Sequence, residues 1–280
     1  MPSTPPVVLT IAGFDPSSGA GVTADIKTIA AHGCYGLACV TALTVQSTTG
    51  VRRVDPTSRE LVTETLEELA SDVEIAAVHI GMLASEGVAE TVADFLAAWK
   101  LPNVVLDPVI RSSSGAELLD ESGIKLLVKK LLPLAAVVTP NIDEAAFLTG
   151  LRVGNLEQMR LAASKLHEMG AVAVVVTGGH LAEALDLLSI ADPNGTQQQV
   201  FRAERQRSNS THGTGCAFAT AIACHLARGR EYADAVRLAK DYVTDALANA
   251  YPLGRGIGPV NHLYAMPQDG TTIPDADKKK

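Results

Sequence analysis

The chain has 280 residues, 47% of them hydrophobic and 19% charged, with a formal net charge of −8. That length gives room for one large α/β domain or two small ones, and the composition excludes a disordered chain. The negative balance argues against a general nucleic-acid or anionic-membrane binder, while leaving room for a nucleotide in a local cradle.

Residues 1–6 lack the basic and apolar regions of a signal peptide. Residues 7–12 form a short apolar run before Gly13 and read as a buried strand. A loop rich in Gly, Ser and Pro follows over 15–21, then helical spacing over 22–31. Strands are predicted at 37–45, 75–80, 104–106, 136–139 and 172–176, and helices at 59–71, 85–99, 121–132 and 156–169. Residues 185–191 and 198–203 read as a strand pair across Pro193-Asn194-Gly195. Helices at 215–227 and 231–250 close the fold, and the polar tail from 269 to 280 is expected to be disordered.

Alternating apolar strands and amphipathic helices imply a mostly parallel sheet covered on both faces. No linker-like stretch divides it, so residues 1–268 read as one domain. Aromatics are only 4%, which leaves a core of Ala, Val, Leu and Ile in tightly packed layers. The four cysteines, Cys34, Cys39, Cys216 and Cys224, form no CxxC pair and no zinc spacing. A reducing cytoplasm is the expected setting, and no apolar stretch reaches the length of a membrane span.

Several strands end in a residue with chemistry to offer: Gly13-Phe14-Asp15, Gln46, Gly81-Met82, Asp107, Asn141 and Thr177. In an open parallel sheet the ligand crevice lies outside the carboxyl ends of the strands, so these residues are expected to share one edge. The run Asn209-Ser210-Thr211-His212-Gly213-Thr214-Gly215-Cys216 then leads into a small-residue helix. Glycines there let backbone N–H groups converge, and the helix start adds unpaired donors and a positive dipole end. The product is an anion cradle suited to a phosphate. A thiol at that position is expected to deprotonate more easily than usual. Taken alone, the segment reads equally as a tight turn with a packed cysteine.

The whole set of motifs resembles the hydroxymethylpyrimidine/phosphomethylpyrimidine kinases of thiamine biosynthesis, in the ribokinase-like superfamily. The resemblance runs through Ala12-Gly13-Phe14-Asp15-Pro16-Ser17-Ser18-Gly19-Ala20-Gly21, Ala24-Asp25-Ile26-Lys27-Thr28 and Val45-Gln46-Ser47-Thr48. It continues at Ile80-Gly81-Met82-Leu83, Leu106-Asp107-Pro108-Val109, Thr139-Pro140-Asn141, Gly178-Gly179-His180, the Cys216 segment and Gly256-Ile257-Gly258-Pro259-Val260. It implies a three-layer α/β/α sandwich with a central, mostly parallel sheet. It also implies two ATP-dependent phosphorylations, of 4-amino-5-hydroxymethyl-2-methylpyrimidine to the monophosphate and then the diphosphate, with Mg2+ and in a homodimer.

The resemblance puts Cys216 at the reaction centre as a candidate base, with backbone donors from Gly213, Thr214 and Gly215. Gln46, with a paired donor and acceptor, suits an aminopyrimidine edge, and Gly13, Asp25, Met82 and Val109 would complete that pocket. Asn141, Thr177 and Lys240 fall on the nucleotide side; Asp107, Asn141 and Glu144 are the candidate magnesium ligands. Asn141 and Glu144 also fit a plain helix cap, and Lys240 a solvated helix face. His180 and His212 read as loop hydrogen-bonders. The chain departs from the pattern at Thr177, where many members carry a lysine, and at Phe14, Ser18 and Ser210. The competing readings are a pyridoxal kinase of the same superfamily and a non-catalytic ligand-binding homologue.

Overall fold

The computed structural model describes residues 4–112, 115–179, 181, 184–193, 195–204, 206 and 208–266. The strands are β1 (Val7–Phe14), β2 (Tyr35–Ser47), β3 (Gly50–Pro56), β4 (Ala77–Ile80), β5 (Val104–Leu106), β6 (Val137–Val138), β7 (Ala173–Thr177), β8 (Ala184–Asp192) and β9 (Gly195–Ala203). They form one nine-stranded sheet in the order β3-β2-β1-β4-β5-β6-β7-β8-β9. The pairs from β2 through β1 to β7 are parallel, and β3, β8 and β9 join antiparallel. The chain leaves β1 toward β2 on one side and later toward β4 on the other. The sheet therefore changes direction at β1, the kind of place where open α/β sheets bind ligands.

Neighbouring strand residues face opposite layers, as a period of two requires. Leu9, Val78, Leu106, Val138 and Val174 enter one core. Val8, Ala77, Val105, Val137, Ala173 and Val175 enter the other. The first layer is covered by α2 (Arg59–Asp72), α3 (Glu86–Trp99), α4 (Glu121–Leu126), α5 (Ile142–Thr149) and α6 (Leu156–Glu168). The second is covered by α1 (Gly21–Ala31), α7 (Thr214–Ala227) and α8 (Tyr232–Ala248). Ala217, Ala219, Ala221 and Ala223 of α7 are fully buried; their small side chains let this helix lie close to the sheet. The expected three-layer sandwich is present.

The differences from the sequence reading have local causes. The helix expected over 121–132 is regular only to Leu126; a wide π turn at Leu127–Leu131 and a 3-10 turn at Leu132–Leu134 follow. Pro133 has no N–H to continue the ladder, so the helix changes pitch as it approaches. β3 escaped notice because Arg52, Arg53, Asp55 and Pro56 make it polar, as suits an exposed edge strand. α5 is short and was read only as a helix start. The predicted turn residue Asn194, His180 and the tail from 269 to 280 lie outside the described residues. Cys34, Cys39 and Cys224 are buried in the two packed layers. No described helix is long and apolar enough to cross a membrane.

Candidate active site

A cleft of about 1270 Å³ opens at the carboxyl ends of the strands. It is lined by Gly13, Gln46, Met82, Asp107, Asn141 and Thr177, so the strand ends singled out in the sequence do share one edge. Val109, Glu144, Lys240 and the Gly213–Cys216 segment line it too.

Two register shifts lie beside this cleft. Between Ala12 and Phe14 of β1 the extra residue falls on β2, and between Val45 and Gln46 of β2 it falls on β3, at Arg52. Thr44 and Gln46, two apart on β2, share one face. Gln46 reaches Thr44 Oγ1 at 3.2 Å and His212 Nε2 at 3.2 Å. Met82 packs with Ala42, Leu118 and Val109 in a small apolar cluster of its own. A Cβ at Gly13 would stand 2.9 Å from the Met82 sulfur and displace that flexible side chain from the wall.

The loop after β1 is organised by Asp15. Its Oδ1 accepts from the backbone N–H and hydroxyl of Ser17, at 2.8 and 2.7 Å. Its Oδ2 accepts from Ala20 N–H at 3.0 Å and from His212 Nε2 at 2.9 Å. Burial opposes this carboxylate, but the His212 and Ser17 hydrogen bonds outweigh it and hold its pKa below the usual range. The sequence reading gave Asp15 no role of its own; an Asp two residues before Ser, inside a Gly-rich loop, was the available signal.

α1 and α7 both begin at this cleft. Neither N-cap, Ala20 nor Gly213, makes a side-chain cap bond, and neither first turn holds an acidic residue. By contrast Ser58, Ser85, Asp120, Asn141 and Asn155 cap α2 to α6 with side-chain oxygens. No side-chain oxygen occupies these helix starts: Gly21 bonds the Cys216 thiol, Thr214 N–H reaches the Thr211 carbonyl at 3.4 Å, and the N–H groups that follow suit an anion. Gly213 has φ 82, and a Cβ there would collide with the Gly19 carbonyl oxygen.

Cys216 sits in the first turn of α7 and reaches the cleft. The expectation of an easily deprotonated thiol is corrected here. Burial raises its pKa well above the ordinary thiol value, and the Asp107 and Asp25 carboxylates add to this; a backbone hydrogen bond from Gly21 only partly offsets them. The helix start is outweighed by two nearby negative groups and by desolvation.

Those negative groups are themselves strained electrostatically. Burial pushes the Asp107 pKa up to about 8, and the charge of Glu144 adds to the shift. Burial likewise raises Glu144 to about 7, against hydrogen bonds from the Asn141 and Ile110 backbones. Asn141 Oδ1 accepts from the Asp143 and Glu144 N–H groups, both at 2.9 Å, and Glu144 Oε2 accepts from Asn141 N–H at 2.9 Å. This capping box engages the Asn141 oxygen and one Glu144 oxygen alike, the plain helix-cap role also expected of the two. No cluster of three metal-ligating side chains occurs among the described residues.

At the far end of the cleft Lys240 Nζ donates to Asp186 Oδ2 at 2.6 Å, with both side chains nearly buried. Asp186 Oδ1 accepts from Gly178 N–H at 3.0 Å and lies directly across the ladder from Thr177. Lys240 is thus no solvated surface lysine: a cation already stands beside Thr177, where the family pattern has its own lysine. Asp186 went unread in the sequence because it lies inside a strand.

Asp25 does not line the cleft. It is fully buried one turn into α1, on the side facing the sheet. Thr10 and Thr220 hydroxyls donate to it at 2.7 and 2.9 Å, and His79 Nδ1 lies at 3.3 Å. Burial disfavours the His79 imidazolium, but Asp25 outweighs that and raises its pKa. Asp25 is a brace that ties α1 to α7 and β1, rather than a wall of the pyrimidine pocket.

Two uncapped helix starts, an acidic pair and an elongated cleft define a small-molecule phosphotransferase on a ribokinase-like α/β/α frame. The phosphomethylpyrimidine kinase family profile matches residues 15–261. The chain is 44% identical to a hydroxymethylpyrimidine/phosphomethylpyrimidine kinase of Streptomyces coelicolor, over 95% of this chain and 97% of that one. It is 39% identical to the Aquifex aeolicus protein of the same name, over 89% and 97%. The chain belongs to the phosphomethylpyrimidine kinase family. Among solved structures, the ADP complex of Bacillus subtilis pyridoxal kinase aligns with a TM-score of 0.85 at 32% identity, covering 94% of this chain and 99% of that one. The phosphomethylpyrimidine kinase of Clostridium difficile aligns with a TM-score of 0.76 at 36% identity, covering 86% and 99%.

The acidic pair makes stability depend on pH in a definite direction. Asp107 is raised from 3.8 to about 8, so between these values the folded chain binds a proton that the unfolded chain has lost. Stability therefore falls as pH rises through that window. Asp107→Asn removes the charge and keeps the shape. It is expected to raise Tm by about a few degrees at pH 8, with the gain shrinking toward pH 4. Thermal melts across this range check it; a gain independent of pH would contradict the account.

Proposed function

We propose that this chain transfers the γ-phosphoryl group of ATP to 4-amino-5-hydroxymethyl-2-methylpyrimidine, and then phosphorylates the monophosphate, as a single ribokinase-like domain. The observation that carries the reading is the position of Gln46, which lines a cleft that also holds the start of α7, a helix with no side-chain cap. An aminopyrimidine edge offers a ring-nitrogen acceptor beside an amino donor, and one side-chain amide matches both. Met82 and Val109 supply an apolar wall for the ring.

The N–H groups at the Gly213–Cys216 turn receive the transferring phosphoryl oxygens. The transition state of this reaction is loose, so positioning and charge stabilisation dominate. Asn141 and Lys240 contact the nucleotide, with Thr177 beside them. Mg2+ fits the Asp107 and Glu144 carboxylates, which both line the cleft and are both destabilised as anions by burial. A magnesium ion held by one or two carboxylates completes its shell with phosphate oxygens and water. Bound there, it supplies charge neutralisation for the phosphates. Burial is the largest obstacle to a Cys216 thiolate, and the Asp107, Asp25 and Glu144 charges add to it. Only the thiolate form of Cys216, its own proton already lost to solvent, accepts the proton of the attacking alcohol. A cytoplasmic homodimer is the expected form; Leu43 and Val45, about half exposed on β2, supply an apolar face for the second copy.

A second reading, pyridoxal as the alcohol, has the structural likeness to pyridoxal kinases in its favour. Gln46→Leu separates the two. It is expected to raise KM for the aminopyrimidine by about ten- to a hundredfold, equivalent to about 1–3 kcal/mol, with KM for ATP unchanged. Pyridoxal has no adjacent amino group and ring nitrogen and would be little affected. An unaltered KM for the aminopyrimidine would remove Gln46 from the pocket.

Cys216→Ala is expected to lower the first phosphorylation by about a hundredfold and the second much less, because an alcohol needs deprotonation and a phosphate monoester does not. Single-turnover rates of the two half-reactions decide this. Equal losses would assign the thiol a positional role.

A further inference from the structure

His212 touches two groups through one ring nitrogen: Nε2 lies 2.9 Å from Asp15 Oδ2 and 3.2 Å from the Gln46 amide. Both Asp15 oxygens receive backbone N–H groups, from Ser17 at 2.8 Å and Ala20 at 3.0 Å. Asp15 is therefore an acceptor, and its low pKa agrees. A bare Nε2 lone pair facing a carboxylate at 2.9 Å would be repelled, so Nε2 carries the hydrogen and donates. The His212 backbone is held by Gly258 O at 3.0 Å and by Val260 N–H at 3.3 Å, and the ring lies so close to Gly19 that a Cβ there would strike its edge.

The consequence falls on Gln46. The two ends of an amide are told apart by their hydrogen bonds. An N–H directed at the protonated Nε2 would face another N–H, so the amide must turn its oxygen to His212. Its nitrogen then faces Thr44 Oγ1, 3.2 Å from the other end of the amide. The Thr44 hydroxyl is free to accept there, because its own hydrogen goes to the Phe14 carbonyl at 3.0 Å. Every donor in the chain Asp15–His212–Gln46–Thr44–Phe14 then has an acceptor.

We propose that the Asp15–His212 pair fixes the polarity of the Gln46 amide and so makes the cleft select an amino group over an oxo group at the pyrimidine position beside the reacting hydroxymethyl carbon. This rests on the reading of Gln46 as the group that meets the ring. With the amide oxygen on the His212 side, the ring amino group lies on that side and the ring nitrogen lies toward Thr44. The hydroxymethyl carbon is the amino group's neighbour on the ring. It is therefore directed toward the segment that follows His212, Gly213 to Cys216, where phosphate is received. The deaminated ring, with a 4-oxo group and a protonated N3, presents the reverse pattern. It would match Gln46 only with the amide turned over, which His212 forbids. His212 is a positioning residue: it acts on the substrate through Gln46.

The test is the ratio of kcat/KM for the 4-amino substrate to that for its 4-oxo analogue, measured in the parent, His212→Ala, His212→Gln and Gln46→Leu. A ratio measured on one preparation is independent of the fraction folded. The parent is expected to favour the amino compound by about a hundredfold or more, since a mismatched buried polar pair is strongly rejected. His212→Ala frees the amide and should narrow the ratio at least about tenfold, mainly through gain on the oxo compound. His212→Gln places two N–H donors near the Nε2 position, one for Asp15 and one for the amide oxygen, and should restore most of the selectivity. An unchanged ratio in His212→Ala, or a glutamine variant no better than alanine, overturns the proposal. Gln46→Leu separates the two levels. If it leaves the amino compound unaffected, the underlying reading of Gln46 fails; if it cripples that substrate while His212→Ala keeps the ratio, only the polarity lock fails.

Discussion

Everything at the cleft depends on how closely two backbone turns approach. Gly213 presses against the Gly19 carbonyl, and Gly21 against the Gly13 carbonyl. Both Gly213 and Gly21 have positive φ, at 82° and 60°, a region open to glycine at little steric cost. These contacts bring the starts of α1 and α7 to one point. Asp25 then locks the helices a turn deeper, with Thr10 on β1 and Thr220 on α7. The result is a pair of donor-rich helix ends held by buried bonds rather than by a flexible loop.

That arrangement sets up an electrostatic balance. The helix starts attract an anion, while burial disfavours the Asp107 and Glu144 carboxylates, whose charge adds to the effect of burial in raising the Cys216 thiol pKa. The acids make the site costly when it is bare and at high pH. Charged sites commonly carry such a cost, which function requires and stability opposes. At the other end, Lys240 and Asp186 neutralise each other. The cleft is thus divided into an acidic centre and a paired cationic end.

Much of the fold was legible because the sheet is simple. Strands such as 104–106 are continuous apolar runs buried on both faces, and the helices between them carry one apolar stripe. The strand-end rule placed Gly13, Gln46, Met82, Asp107, Asn141 and Thr177 at one edge before any contact was known. What stayed hidden depended on three-dimensional neighbours. The direction of the Cys216 shift is decided by burial first and then by carboxylates far away in sequence. Asp25 shares a motif with true cleft residues, yet helix phase turns it toward the sheet. The Asp15–His212 pair joins residues 197 positions apart, and nothing in the local pattern of either reveals the other. The π turn before Pro133 was legible in principle, since a proline near a helix end disrupts the ladder.

The central claim is that the close approach at Gly213 creates the phosphate cradle. Gly213→Ala tests it most directly, because the added methyl group meets the Gly19 carbonyl and a backbone of φ 82. Calorimetry of ATP–magnesium binding, beside a thermal melt of the same preparation, is the measurement. The account predicts that nucleotide affinity falls by at least about tenfold while the chain still melts cooperatively, since both packed cores lie behind the turn. A folded Gly213→Ala protein that binds nucleotide as the parent does would contradict it.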